Sequence, residues 1–190
     1  MESLVQRYHG PVLNFAARFV GRGDMAEDLA QDVFAKIIRR LDTFDERADL
    51  TTWVFAITAN TCRDALRKVK RRREVLEADG PDLHVITDRT ADEDVRSAPA
   101  EVVEREVRAL PIRRAVAELP EPHRTVVLLR FFQDMSLKEI AEVCECSVGT
   151  IGSRLHYAIK RLKKELVGEL SESGGGNDDM CEGQGPAAGA

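Results

Sequence analysis

The chain has 190 residues, 32% of them charged and only 5% aromatic, with a formal net charge of −5. That length holds one ordinary domain or two small ones, and the composition is that of a helical, water-soluble protein. No run approaches the roughly 18 apolar residues of a membrane span, and no apolar signal core follows Met1. The four cysteines (Cys62, Cys144, Cys146, Cys181) are too scattered for a disulfide framework. The expectation is a cytoplasmic protein with no membrane insertion.

The acidity is local. Residues 74–111 carry 11 acidic and 4 basic side chains, and the tail 168–190 carries 5 acidic and none basic. The remainder holds 17 acidic and 24 basic residues. The segments with helical periodicity are therefore basic, as contact with nucleic acid requires.

Leu4, Tyr8, Val12, Phe15 and Phe19 recur at helical spacing, with Gly10-Pro11 marking a candidate kink. Gly21-Arg22-Gly23 is a turn. Asp24 with Glu27 three residues on reads as a capping box opening a helix to about Leu41. Its core stripe is Leu29, Val33, Ile37 and Leu41, reinforced by Phe34 and Ile38. Asp28, Gln31, Asp32 and Ala35 fall outside that stripe, which by periodicity alone makes them a solvated face.

Asp42–Asp49 is a polar loop. A third helix, Leu50 to about Arg73, carries Trp53, Ile57, Thr61 and Leu66 near one face and ends in the basic run 67–73. Such a run complements the helix dipole and suits a phosphate backbone. Trp53, Phe55 and Asn60, interleaved with small polar residues, are side chains that could read unstacked bases, although Trp53 alone reads better as a core anchor.

From Glu74 to about Ala98 there is no period, so the stretch reads as a linker. Helical pattern resumes near Pro99 and is interrupted at Pro111. His123–Phe132 is short and very apolar, and with Ile112–Glu118 it can cover a pair of helices beyond Gln133. Ser136 and Glu139 form a capping box before Leu137, Ile140, Ala141 and Val143. After Cys144-Glu145-Cys146, Ser147 caps a longer helix whose apolar stripe is Val148, Ile151, Leu155, Ile159 and Leu162. Two capped helices joined by a tight turn read as a helix-turn-helix. Opposite the stripe lie Gly149, Thr150, Ser153, His156, Tyr157, Lys160 and Lys164. Small and hydroxyl residues come first and cations later, a face that suits a major groove. After Val167 the chain is Gly/Ser/Asp-rich, with the composition of a disordered tail.

No HExxH, P-loop or convergent carboxylate set is present, so neither catalytic residues nor a cofactor is expected. Cys144-x-Cys146, even with His156 or Cys181, is too weak a pattern for zinc, and no metal site is expected.

DLAQDVF at 28–34, TFDERADLTTWVFAITANTCRDALRK at 43–68 and LPEPHRTVVLLRFF…MSLKEIAE…SVGTIGSRLHYAIKRL within 119–162 closely resemble the extracytoplasmic-function (ECF) subgroup of the bacterial sigma-70 family. The resemblance spans both helical parts, in order. It implies an all-α chain of two small helical domains joined by a flexible acidic linker, the second domain a four-helix unit containing the helix-turn-helix. The corresponding division is 1–73 for core docking and the minus-ten element, 74–98 for the linker, 99–167 for the minus-thirty-five element, and 168–190 for the tail. The implied partners are core RNA polymerase, promoter DNA and an anti-sigma factor. Asp28, Gln31 and Asp32 would then dock on the polymerase. Phe44, Asp45, Glu46, Arg47, Ala48 and Asp49, with Asn60 and Arg63, would meet the minus-ten strand. Thr150, Ser153, Arg154, His156, Tyr157 and Lys160 would meet the minus-thirty-five duplex, and the acidic linker would run through the polymerase channels in place of RNA. Two positions depart from the family pattern: Gly152 stands where Lys or Arg is usual, and Glu145 where glycine is common. The alternatives to a non-catalytic initiation subunit are a stand-alone helix-turn-helix regulator and, more remotely, a nucleic-acid enzyme.

Overall fold

The structure, a computed structural model, describes residues 2–21, 23–45, 48–78 and 110–173. It is all-helical over those residues. Helices α1 (Glu2–Val20), α2 (Asp24–Arg40) and α3 (Leu50–Ala78) pack on one another as a first unit. Helices α4 (110–117), α5 (Glu121–Phe132), α6 (Leu137–Val143) and α7 (Val148–Ser173) make the four-helix second unit. Among the described residues, no helix is long and apolar enough to cross a membrane.

Helix α1 runs unbroken through Gly10-Pro11, so the expected kink does not interrupt it. Asp24 and Glu27 do not form a capping box. Gly23 is the N-cap, at φ 111°, and no side chain bonds the first amides of α2. Asp24 and Glu27 lie inside the first turn, where a negative charge still complements the helix dipole. Ile38, placed in the core stripe by its spacing, is 47% exposed. Helix α3 continues to Ala78, five residues into the stretch read as linker. The rest of the linker and the tail beyond Ser173 lie outside the described residues. Pro111 sits within the helical residues 110–117 rather than breaking them.

Two apolar clusters hold the chain. One, of Tyr8, Val12, Ala30, Val33, Phe34, Ile37, Val54 and Ile57, is confined to the first unit. The other crosses the units: Phe15, Phe19, Phe55, Ala59 and Cys62 pack with Leu119, Val126, Met135 and Ile140. Phe55, read as a surface for unstacked bases, is therefore a core residue, 1% exposed. Trp53 is half-buried against the first cluster, with its ring centroid 5.1 Å from that of Phe44.

The helix-turn-helix forms as its capping signals dictate. The Ser136 side chain accepts from the Glu139 amide while the Glu139 carboxylate accepts from the Ser136 amide at 2.6 Å. At the other end of α6, Cys146 N–H donates to Ala141 O at 3.0 Å and Glu145 N–H to Glu142 O at 3.2 Å. That pair of bonds is the Schellman closure, which needs a left-handed residue between them. The residue is Glu145, at φ 51°. An L side chain in this conformation costs roughly 1–2 kcal/mol, and glycine avoids it at an entropic loss of about 0.5–1 kcal/mol. Glu145→Gly is thus expected to raise unfolding stability by up to about 1 kcal/mol, and Glu145→Val to lower it. Urea titrations followed by circular dichroism check both, and coincident midpoints would remove the strain assigned to this turn.

Candidate polymerase and nucleic-acid interfaces

On α2, the apolar side turns Ala26, Leu29, Ala30, Val33, Phe34 and Ile37 inward. Asp28, Gln31 and Asp32 are left exposed on adjacent turns, an acidic-amide patch whose substitution would disturb no core contact.

The loop after α2 begins with one 3-10 turn, Leu41–Thr43, and reaches Phe44, half-buried against Trp53. Ala48 N–H donates to Asp45 O at 2.8 Å. Asp49 Oδ1 accepts from Thr52 N–H at 2.8 Å, so the loop's last acid caps α3. That capping role was not read from the sequence, although Asp three residues before Thr at a helix start is its signal. Glu46 and Arg47 lie outside the described residues. Asn60 is exposed on α3, and its Oδ1 accepts from Arg63 Nη1 at 2.9 Å. Arg63 also meets Glu121 of α5, Nε to Oε1 3.0 Å, and its Nη2 lies 3.8 Å from Cys144 Sγ. One residue nominated for the melted strand is thus held by the second unit.

On α7 the nominated face is exposed at Ser153, His156, Tyr157 and Lys160, with Thr150 and Arg154 half-buried. The hydroxyls have partners already. Thr150 Oγ1 shares a hydrogen bond with Ser147 Oγ at 2.9 Å, and Ser147 Oγ accepts from Thr150 N–H at 3.1 Å. Ser153 Oγ donates to Gly149 O at 3.1 Å. Arg154 Nη1 is 3.8 Å from Cys146 Sγ. A side chain at Gly152 would meet nothing within 4 Å, so the face is open there. Val148, assigned to the apolar stripe, is 44% exposed at the helix start; Ile151 of that stripe is buried as expected, and so is Ala158, which the stripe left out.

Burial pushes the Cys62 thiol up to about 12 against the opposing pull of Lys36. Burial likewise raises Cys144, although Arg63 beside it pulls the other way. Cys144 and Cys146 each lie beside a guanidinium, a poor setting for a metal cation.

His123 packs obliquely against Tyr157, ring centroids 4.5 Å apart, and so ties α5 to α7. Burial first, then Arg154 and Arg161, lower its pKa from the ordinary 6.5. The fold therefore favours neutral His123. Below about pH 6.5 the unfolded chain takes up this proton more readily, so stability should fall as pH drops from about 7 to 5. His123→Gln should flatten part of that slope in urea midpoints measured across the range. An identical slope in both proteins would remove the assignment.

Comparison with known proteins meets this geometry at both units. Residues 4–72 match the family described as Sigma-70 region 2, and residues 109–162 the one described as Sigma-70, region 4. The RNA polymerase sigma-H factor of Pseudomonas aeruginosa is 31% identical over 170 residues, covering 90% of this chain and 88% of the relative. The ECF RNA polymerase sigma factor SigW of Bacillus subtilis is 30% identical, covering 86% of this chain and 87% of its own. Among solved structures, the sigma factor RpoE of Bartonella quintana, in complex with the anti-sigma factor NepR, superposes with a TM-score of 0.65 at 26% identity. That alignment covers 87% of this chain and 95% of the other. CnrH, in complex with the cytosolic domain of CnrY, superposes with a TM-score of 0.59 at 25% identity, covering 88% and 87%.

Proposed function

The chain belongs to the ECF subfamily of the sigma-70 RNA polymerase sigma factors, and we propose that it joins core RNA polymerase, directs it to a set of promoters and assists strand opening there. The observation that carries this reading is the doubly capped helix-turn-helix, with Ser153, His156, Tyr157 and Lys160 exposed along one face of α7. It sits on a chain whose relatives also span the first unit. A stand-alone helix-turn-helix regulator would leave that unit without a task. The work is binding rather than catalysis and calls for no cofactor. It is done in the cytoplasm, where the polymerase and chromosome are. Like its structural neighbours, the chain takes an anti-sigma factor as a further partner.

Within this reading Asp28, Gln31 and Asp32 dock on the polymerase. Phe44–Asp49 with Asn60 and Arg63 handle the minus-ten strand. Thr150, Ser153, Arg154, His156, Tyr157 and Lys160 handle the minus-thirty-five duplex. The two elements lie about 25 base pairs apart, roughly 85 Å of duplex at 3.4 Å per step. A compact body of some 150 residues is only about 40 Å across. The closed packing of the two units therefore cannot serve both elements at once, and Arg63 must leave Glu121 for the chain to work. The closed form is the resting state.

Run-off transcription on genomic fragments with purified core polymerase tests the reading: transcripts should start at a restricted set of sites only when the chain is added. Tight, sequence-specific duplex binding without polymerase, and no added transcripts, would return the stand-alone regulator. Asp28→Arg with Asp32→Arg should abolish co-purification with core enzyme while changing folding stability by no more than about 0.5 kcal/mol. The two DNA-reading sets should also fail differently. Ser153→Ala with His156→Ala should weaken the closed promoter complex by about 1–3 kcal/mol per lost base contact. Asn60→Ala should spare closed-complex binding and reduce permanganate reactivity of the opened strand, and equal loss of closed complex in both would end this division of labour.

A further inference from the structure

The turn of the helix-turn-helix holds two thiols that the proposed DNA and polymerase contacts do not use. Cys144 closes α6 and Cys146 lies two residues on, both half-buried and both free. Each thiol accepts from a guanidinium nominated for DNA. Arg63 Nη2 donates to Cys144 Sγ and Arg154 Nη1 donates to Cys146 Sγ, each at 3.8 Å. The reduced turn thus holds one arginine from each DNA-reading set. Between the thiols stands Glu145, left-handed at φ 51°. Consecutive Cα atoms are about 3.8 Å apart, so a bend of about 90° at Glu145 leaves the outer two roughly 5.4 Å apart. A disulfide spans about 4.4–6.8 Å between Cα atoms.

We propose that Cys144 and Cys146 form an oxidation site for peroxides, closing to a disulfide within the turn, and that this disulfide releases Arg154 and Arg63 to DNA. The thiolate is the reacting form, and burial raises the Cys144 pKa, so Cys146 reacts first. Its sulfur, giving up the thiol proton, attacks one oxygen of hydrogen peroxide. The O–O bond breaks, the leaving oxygen takes the proton as water, and a sulfenic acid remains. The Cys144 sulfur then attacks that sulfur, and the hydroxyl leaves as water with the Cys144 proton. Two thiols lose two electrons in all, the peroxide becomes two waters, and a dithiol reductant reverses the step. Cytosolic disulfides are usually of this transient, sensing kind. Joining the sulfurs draws each toward the other and away from its guanidinium. It also removes the thiolate, the form that would hold an arginine most strongly. Arg154 is then available to a phosphate, and Arg63 is left with Glu121 across the junction, which loosens the closed packing. The oxidation rests on the turn alone; its effect on transcription rests on the sigma-factor reading.

The test uses the full chain with Cys181→Ser, which removes the thiol of the tail. After one equivalent of hydrogen peroxide, alkylation and tryptic mapping, the peptide 139–154 should be unalkylated and short of two hydrogens. Dithiothreitol should restore both thiols. Cys62, whose thiol burial pushes up to about 12, should stay reduced throughout. The oxidised chain should bind a random-sequence duplex about two- to fivefold more tightly, with a salt slope steeper by about one, the mark of one added phosphate contact. With core polymerase and limiting chain, run-off yield should rise by a similar factor, and Cys146→Ser should abolish both gains. Thiols that stay alkylatable, or a disulfide through Cys62, overturn the site. A closed disulfide with unchanged or weaker duplex binding overturns the release of Arg154. Tighter duplex binding with unchanged run-off yield overturns the release of Arg63. No transcript from either form would instead refute the initiation reading and leave the oxidation site standing.

Discussion

One guanidinium joins the two halves of this molecule. The last carbonyls of a helix have no partner within it and carry the negative end of its dipole. Two such ends meet at the junction, that of α1 and that of α4. Arg124, on α5, answers both: Nη1 donates to Phe19 O at 2.5 Å, while Nη2 donates to Ala117 O and, at 3.1 Å, to Leu119 O. Its carbon lies 5.6 Å from the centre of the Phe19 ring. Burial lowers the guanidinium's pKa and Glu121 beside it raises it again, so the charge is held between a carboxylate and three carbonyls. Arg124 thereby ties α5 to the ends of both α1 and α4.

The contacts of Arg63 across the junction, to Glu121 and to Cys144, specify more than they stabilise. The Arg63–Glu121 pair is partly exposed, and pairs of that kind contribute about 0–1 kcal/mol. Apolar burial does the holding, through Phe19, Phe55 and Cys62 on one side and Val126, Met135 and Ile140 on the other. Opening the units therefore uncovers apolar surface, at a penalty near 25 cal/mol per Å² unless something else covers it. In the proposed function, the polymerase is what covers it. Water alone is a poor competitor for the closed form, which fits a subunit that acts only on its enzyme.

Local signals were legible in the sequence where they are complete within a few residues. The Ser136/Glu139 box and the Ser147 cap are of that kind, because donor and acceptor are three residues apart. The left-handed turn at Glu145 is not of that kind: only the resemblance, in which glycine is common there, pointed to it. Asp24 misled because Gly23, which can take φ 111° freely, moved the cap one residue back. Phe55 misled because α3 is enclosed on several sides: α1 and α2 cover one, α6 of the second unit another. A single-stripe reading leaves such residues outside. The exposed positions of Asp28, Gln31 and Asp32 were evident from periodicity, whereas their partner came only from resemblance. Nothing in a linear pattern pairs Arg63 with Glu121 or Arg124 with Phe19, since such contacts depend on which faces of separate helices meet.

In the proposed function, α7 also gives a reason for this chain to need its enzyme to find a promoter. The Ser153 proton goes to Gly149 O, and the Thr150 hydroxyl is tied into the cap with Ser147. Ser153 is left mainly as an acceptor, and Gly149 and Gly152 offer no side chain. Base contact then rests on few groups, His156 foremost, each good pairing giving about 1–3 kcal/mol of discrimination. Specific binding commonly exceeds non-specific binding by about 4–10 kcal/mol, more than so few contacts supply. The difference has to come from a second point of attachment. In that proposal α2 is fixed to the polymerase and the first unit engages the opened strand, so docking of α7 becomes intramolecular, and a modest contact acts at high effective concentration. On that proposal, weak reading by α7 alone would keep the free chain from occupying promoters without polymerase.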